Sequence, residues 1–362
     1  MKMVFIILLF LLISFNVYVI WHIWHIIPLV TWRKWTIVSF FIMAFVCMFL
    51  SVSHIIDKLP MSVSIVVYEL GTGWLIALLY MFIIFALLDI GRLVHIIPSS
   101  FLKDSLWGTL SVAFVVVGLL LYGNIHYHNK YREKIVLKTS KSLSKSFKIV
   151  MMSDLHLGYH NRRVELARWV ELVNRENPDL VVIAGDIIDR FMRPLEEENM
   201  AEELRKINAP VFACIGNHDY YAGKPNSMDF YSKAGITLLK DSIAVFDDIQ
   251  IVGRDDRSNL HRKKVETLVK DLDKKKYTIM LDHQPYYLEE AEQSGIDFQL
   301  SGHTHHGQVW PISAITDAIY ECAFGRWKRG DTDYYITSGI GIWGGKFRIG
   351  TRSEYIVAAV IN

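Results

Sequence analysis

Residues 211–221 read VFACIGNHDYY: a short apolar run that stops at Gly216 and then delivers an amide, an imidazole and a carboxylate in succession. Val211–Ile215 has the length and composition of a buried strand, and the glycine behind it permits a sharp turn. The same grammar recurs on both sides. Lys148–Met152 runs into Asp154-Leu155-His156, and Leu180–Ala184 runs into Gly185-Asp186. Tyr277–Leu281 runs into Asp282-His283, and Phe298–Leu300 leads to Gly302-His303-Thr304-His305. Each cluster follows a strand, and strand ends are where binding loops gather in layered α/β domains.

Helical patterns lie between these strands. Val164–Val173 (VELARWVELV) has helical periodicity and stops before Pro178; Leu195–Ile207 reads as an acidic helix, and His261–Leu272 as another. Ile249–Val252, Tyr334–Thr337 and Tyr355–Ile361 are further candidate strands. Strand–helix alternation followed by successive strands indicates one layered α/β domain with mixed sheets over 147–362.

The clusters offer carboxylates, imidazoles and one amide, a set suited to a divalent metal such as Mn, Fe or Zn. Cysteine is absent from all five, which argues against a structural zinc site. Asp154-x-His156 and His303-x-His305 place two side chains on one side of an extended segment. The ligands are too many for one ion and fit two. The chain has three cysteines, and Cys214 and Cys322 read as buried thiols in a reducing compartment rather than a disulfide pair.

Working toward the N-terminus, the composition changes. The 362 residues carry Lys+Arg 39 and Asp+Glu 37, a net +2 with a mean hydropathy of +0.24. That balance excludes a strongly basic nucleic-acid binder and a disordered chain, so no nucleic-acid partner is expected. The total conceals a segregation: residues 1–126 hold six basic and four acidic residues, 127–148 hold seven and one, and 149–362 hold 26 and 32. Four uncharged runs, at about 3–20, 35–56, 70–88 and 106–123, are long enough to span a bilayer as helices. Trp21, Trp24, Trp32, Trp35 and Trp107 cluster at their ends, as interfacial anchors do. The first run lacks a small-residue cleavage site and further spans follow, so an uncleaved span is expected. Residues 1–126 are thus expected to be an all-α transmembrane domain of four helices, with Glu69 and Asp89 at span ends. Residues 127–146 are expected to be a basic linker. Its charge cluster favours the cytoplasmic side for the α/β domain of a multi-pass cell-membrane protein.

The motif series resembles the calcineurin-like metallophosphoesterase superfamily. Ile215-Gly-Asn-His-Asp-Tyr-Tyr221, Gly302-His-Thr-His-His-Gly-Gln308, Thr337-Ser-Gly-Ile-Gly341 and Phe347-Arg-Ile-Gly350 are similar to its membrane-associated bacterial branch. The resemblance covers about 147–362 and implies a four-layer αββα sandwich. It implies that Asp154, His156 and His305 hold one metal and that Asn217, His283 and His303 hold a second, with Asp186 bridging. It also implies that His218 contacts the phosphoryl oxygen or protonates the leaving group, with Asp219 orienting His218. His306 departs from the glycine usual at its position; it is either tolerated there or touches substrate.

These readings point to a membrane-bound dinuclear phosphohydrolase that cleaves a phosphodiester or pyrophosphate bond in a lipid-linked or nucleotide–lipid substrate. Its partners would be the bilayer and a phosphate-containing substrate, and its cofactors two divalent ions, with manganese, iron or zinc as candidates. Two alternatives stand beside it. One is a membrane-located phosphodiesterase or phosphatase acting on a soluble nucleotide or phosphoprotein; the other is a receptor or scaffold that binds without cleaving.

Overall fold

The structure, a computed structural model, describes residues 2–362 and falls into two compact units. The first comprises residues 1–125 together with the segment Gly344–Phe347. Its helices are α1 (Lys2–Ile26), α2 (Thr31–Ser51), α3 (Met61–Leu93) and α4 (Leu106–His128, whose last turn belongs to the second unit). All four are long and apolar enough to cross a membrane. Helix α3 is longer than its uncharged core: at 33 residues it measures about 50 Å, against about 30 Å of bilayer hydrocarbon. Glu69 therefore lies inside the helix, not at its start, and its carboxylate is 3.4 Å from Lys346 Nζ. Asp89, near the other end, accepts from Tyr18 Oη at 2.7 Å and lies 2.9 Å from His22 Nε2 and 3.2 Å from Arg92. These contacts engage the carboxylate where apolar α1 and α3 meet.

The first strand of the second unit is β1 (Lys130–Lys138), which occupies nearly half of the stretch expected as a linker. Its charges hid it, but they alternate with Ile135 and Leu137, which point into the core. The remaining elements, in chain order, are β2 (Phe147–Met152), α5 (Arg163–Arg175), β3 (Leu180–Ala184), α6 (Arg193–Glu197), α7 (Met200–Leu204), β4 (Val211–Cys214), α8 (Asn217–Tyr221) and α9 (Lys224–Lys233). They continue with β5 (Ile236–Leu238), β6 (Ser242–Phe246), β7 (Ile249–Gly253), α10 (Val265–Leu268), β8 (Tyr277–Leu281), α11 (Glu289–Gln293), β9 (Phe298–Ser301), α12 (Ile312–Ile319), β10 (Gly325–Arg329), β11 (Thr332–Ile336) and β12 (Ser353–Ile361). The acidic helix expected over Leu195–Ile207 is broken into α6 and α7 at Asn199, whose φ is 51°. The helix expected over His261–Leu272 shrinks to four residues, because Arg262 is drawn to Asp282 and Asn259 instead closes turns.

The strands form two six-stranded sheets, β1-β12-β2-β3-β4-β5 and β10-β11-β9-β8-β7-β6. In the first, β2, β3, β4 and β5 are mutually parallel and β12 is antiparallel to β2; in the second, β7, β8, β9 and β11 are parallel. Strand alternation splits each sheet between two cores. Ile149, Met151, Val182 and Phe212 meet Ile251, Ile279, Leu281 and Leu300 between the sheets. Val150, Val181 and Ile183 pack outward on Leu166, Trp169 and Val173 of α5, while Met280 and Ile336 pack outward on Val265, Leu268 and Ala291. The result is the four-layer αββα sandwich. The parallel strands β2, β3, β4, β8 and β9 all end at one edge, and the motif loops emerge there. All three cysteines are free and buried.

Candidate metal centre

Five loops meet at that edge. Asp154 and His156 leave β2, Asp186 and Asp189 follow β3, and Asn217 and His218 open α8 after β4. His283 follows β8, and His303 and His305 follow β9. Asp154, His156, Asp186, His303 and His305 all have φ between 44° and 69°. Asp and His enter this left-handed region at lower cost than bulkier residues. Glycine is required where loops cross. At Gly185 (φ 82°) a Cβ would come within 2.8 Å of both His283 Nδ1 and the Gly216 amide. At Gly302 it would come within 2.2 Å of Asp154 Oδ2.

The ligand-type side chains converge in two groups. Asp154, His156 and His305 form one, with His305 Nε2 3.5 Å from Asp154 Oδ1 and 3.1 Å from His156 Nε2. Asp186, His283 and His303 form the other, with His283 Nε2 3.1 Å from Asp186 Oδ2. Asp186 Oδ2 is also 3.6 Å from His156 Nε2, so this carboxylate stands between the groups. Asn217 is buried, and its Oδ1 has no hydrogen-bond partner among the described residues; nor has His305 Nδ1. Six of the seven sequence-expected ligands thus lie in these two groups, and Asn217 opens α8 next to His218.

The far nitrogens of the imidazoles are committed. His283 Nδ1 donates to the Ala184 carbonyl at 2.7 Å, and His156 Nδ1 donates to Asp189 Oδ1 at 3.2 Å. Both Nε2 atoms are left facing inward, the arrangement that orients imidazole ligands. His218 Nδ1 lies 2.9 Å from the Asp189 carbonyl and 3.2 Å from its carboxylate. Asp189 therefore holds two site histidines at once, and sequence reasoning passed over it. The signal available was the spacing Asp186-x-x-Asp189 in the loop after β3.

Asp219 does not orient His218. It accepts from the amides of Asp186, Ile188 and Gly216 at 2.8–3.0 Å and from Tyr231 Oη at 2.6 Å. Neighbours on a helix point about 100° apart, so adjacency to His218 sends its carboxylate elsewhere. Arg348 was also unforeseen as a site residue. Fully buried, it donates to the carbonyls of His305 (2.6 Å), Ser338 (2.5 Å) and Gly341 (3.2 Å). His306 takes the left-handed conformation (φ 48°), stacks on Phe324 at 4.6 Å and places Nε2 3.3 Å from Asp317.

The electrostatics of the cluster call for cations. Asp154, Asp186 and Asp189 are at most 2% exposed. Burial pushes all three carboxyls up, yet the surrounding imidazoles hold them well below the usual range. Burial works against a charged His156, but Asp154 and Asp189 raise it to about 10. Burial lowers His303 to about 4 and His305 to about 3, leaving both as neutral donors. Burial and the Asp186 charge push Asp219 up to about 6. Carboxylate and neutral imidazole together, with orphaned polar atoms beside them, fit a divalent metal ion.

Such a site on an αββα sandwich defines a metal-dependent phosphoesterase, and sequence comparison specifies the family. The profile of the calcineurin-like phosphoesterases matches residues 147–307. An uncharacterized metallophosphoesterase of Aquifex aeolicus is 33% identical over 261 residues, covering 68% of this chain and 98% of its own. A transmembrane protein with a metallophosphoesterase domain from Danio rerio is 30% identical over 358 residues, covering 90% of this chain and 80% of its own. An uncharacterized metallophosphoesterase of Campylobacter jejuni is 32% identical over 247 residues; the chain spans 66% of that relative's length. A solved putative 5′-nucleotidase from Staphylococcus aureus aligns over 54% of this chain and 49% of its own, at 13% identity and a TM-score of 0.37. The chain belongs to the calcineurin-like metallophosphoesterases. Its four apolar helices and its transmembrane relatives make it a membrane protein.

Proposed function

We propose that this protein is a dinuclear phosphohydrolase that cleaves a phosphodiester or pyrophosphate bond in a lipid-linked or nucleotide–lipid substrate. One observation carries the reading: two groups of buried ligand atoms flank a single shared carboxylate, Asp186. Asp154, His156 and His305 would hold one divalent ion; Asn217, His283 and His303 would hold the other. Manganese, iron and zinc suit these ligands. Two such ions supply Lewis-acid polarisation of a phosphoryl oxygen and a water of lowered pKa.

The chain's own residues do the rest. His218 donates Nδ1–H to the Asp189 carbonyl, which turns Nε2 toward the site. When Nε2 carries a proton, the Asp189 carboxylate compensates the imidazolium, and that proton is delivered to the leaving oxygen or to a non-bridging one. Asp219 fixes the backbone of Asp186 and Gly216, so its part is to position the bridging carboxylate. Arg348 holds the His305 loop from beneath.

The lipid part rests on two features: the four apolar helices on the same chain, and the exposed apolar face of α12. That helix follows the His303–His305 loop and exposes Ile315 and Ile319, with Trp310 just before it. The basic stretch around β1 supports a catalytic domain on the cytoplasmic side of the cell membrane. The test is to incubate a lipid extract with wild type and with Asn217→Ala and to compare products by mass spectrometry. Phosphate-containing cleavage products made only by wild type are expected. A wild type that hydrolyses soluble phosphodiesters but no lipid-linked compound would overturn the lipid assignment.

A further inference from the structure

Three guanidinium groups sit in the loop after β7, and two are fully engaged. Arg254 Nη1 lies 3.1 Å from Asp282 and 2.7 Å from Glu290; Arg262 Nη1 lies 3.1 Å from Asp282 and 3.2 Å from the Asp255 carbonyl. Arg257 differs. Its guanidinium has no hydrogen bond or ion pair among the described residues, and it is half-buried rather than extended into solvent. Two ring faces hold it, with Cζ 4.0 Å from the Tyr286 centroid and 5.2 Å from that of Tyr287. Stacking fixes the plane of a guanidinium while leaving its N–H edges free, the geometry that receives a phosphate in a two-pronged contact.

The group beside Arg257 leads back to the metal-ligand cluster. Tyr286 packs against Tyr320 at 4.9 Å, and their hydroxyls are hydrogen-bonded at 3.1 Å. The Tyr320 ring is in turn 6.4 Å from His303. On the other flank, Asp256, next to Arg257, accepts from Gln284 at 2.8 Å, and Gln284 directly follows His283. A guanidinium without a hydrogen bond or ion pair among the described residues, and a tyrosine hydroxyl, thus stand on the His303 side of the cluster.

We propose that Arg257, with Tyr320, forms a second anion subsite, which takes the phosphate adjoining the one that is hydrolysed. The site then favours substrates with two linked phosphates over simple phosphodiesters. The inference rests on the phosphohydrolase reading above and selects, within it, the pyrophosphate-containing class.

The test uses full-length, manganese-loaded protein in detergent. Turnover of uridine 5′-diphosphoglucose, with two phosphates, is compared with that of thymidine 5′-(p-nitrophenyl phosphate), with one. Arg257→Gln is expected to lower kcat/KM for the diphosphate about 10- to 100-fold, mostly through KM, as loss of a charge-assisted pair does. The ratio of kcat/KM between the two substrates falls at least about 10-fold, and Arg257→Lys restores part of it. An equal loss on both substrates, or an unchanged ratio, overturns the proposal. Binding separates this inference from the catalytic one if wild type hydrolyses neither substrate. Calorimetry should then show methylenediphosphonate bound more tightly than methylphosphonate by wild type, with the preference lost in Arg257→Gln. No preference in wild type, or the same preference in the variant, overturns it.

Discussion

Replacing Asp189 by asparagine isolates the part of the site that no ligand motif announces. The side chain is 2% exposed, and one oxygen, Oδ1, lies 3.2 Å from Nδ1 of both His156 and His218. Asparagine keeps the shape and one acceptor but removes the charge. A hydrogen bond to a charged group contributes about 1.5–3 kcal/mol, and Asp189 makes two such contacts. Forfeiting about half of each removes about 1.5–3 kcal/mol, or about a 10- to 10²-fold loss in kcat. The two histidines distribute that loss differently. Weaker orientation of His156 lowers metal affinity about 10- to 100-fold, which metal analysis reads and excess metal corrects. Weaker support of a protonated His218 lowers turnover of an alkyl phosphodiester more than that of a nitrophenyl one, because only a poor leaving group needs the proton. The assay is kcat for the two esters at saturating metal. Wild-type kcat on both would refute the role of Asp189. An equal loss on both, at full metal occupancy, would refute its action through His218.

Other outcomes follow from the same geometry. Dialysis against a chelator should abolish phosphodiester hydrolysis and lower the melting temperature by roughly 5 °C, since an ion held at 100 times its dissociation constant contributes about 2.7 kcal/mol; a melting temperature that rises on chelation contradicts the reading of the buried carboxylates. At the far end of the domain, the Arg132 guanidinium (2.5–2.6 Å), with Tyr355 adding to it, holds Glu176 below the usual carboxylate range. A carboxyl lowered in the folded state stabilises above its unfolded pKa and loses that stabilisation as pH falls through its folded value. Arg132→Ala should therefore cost about 1 kcal/mol at neutral pH and flatten the acid limb of the stability curve, as read by denaturant titration between about pH 3 and 7. His306→Gly should leave stability within about 1 kcal/mol of wild type, because relief of the left-handed backbone offsets the lost stacking on Phe324; a loss above about 2 kcal/mol would make the ring a structural element.

Much of this was legible in the chain, for identifiable reasons. Transmembrane helices announce themselves by uncharged length, and α3 was underestimated because Glu69 and Asp89 bound its uncharged run. Strands β2, β3, β4, β8 and β9 are apolar on both faces because both sheets are covered, so each reads as a short hydrophobic block. The strands that escaped are those with one face or an edge in solvent. In β10, Arg326, Trp327 and Lys328 are exposed, and β6 alternates between exposed and half-buried residues. The ligand set was legible because each member immediately follows a strand. Asp189 and Arg348 were not, because they act on other residues through loops whose course no periodicity reports. Asp219 was misread for the opposite reason, since proximity in sequence stood in for proximity in space.

The backbone at the site explains why these loops need so much support. Asp154, His156, Asp186, His303, His305 and His306 all have positive φ, at a cost of about 1 kcal/mol each. They also concentrate three buried carboxylates. The loops are held by one another rather than by their own propensity. The Asp154 amide donates to Gly185 and that of His156 to Asp186; the His303 amide reaches back to the Asp154 carboxylate. Asp219 gathers three amides, and Arg348 gathers three carbonyls. Most of these bonds join two different strand ends, so no single loop can relax without loosening its neighbours. Such an arrangement preserves the ligand geometry in the absence of the ion, but it leaves the carboxylate repulsion uncompensated. The cations should therefore add stability at the loops more than at the cores. Amide hydrogen exchange should report this as metal-dependent protection of Asp186, Ile188 and Gly216, whose amides bond to Asp219, with little change in β3 and β8.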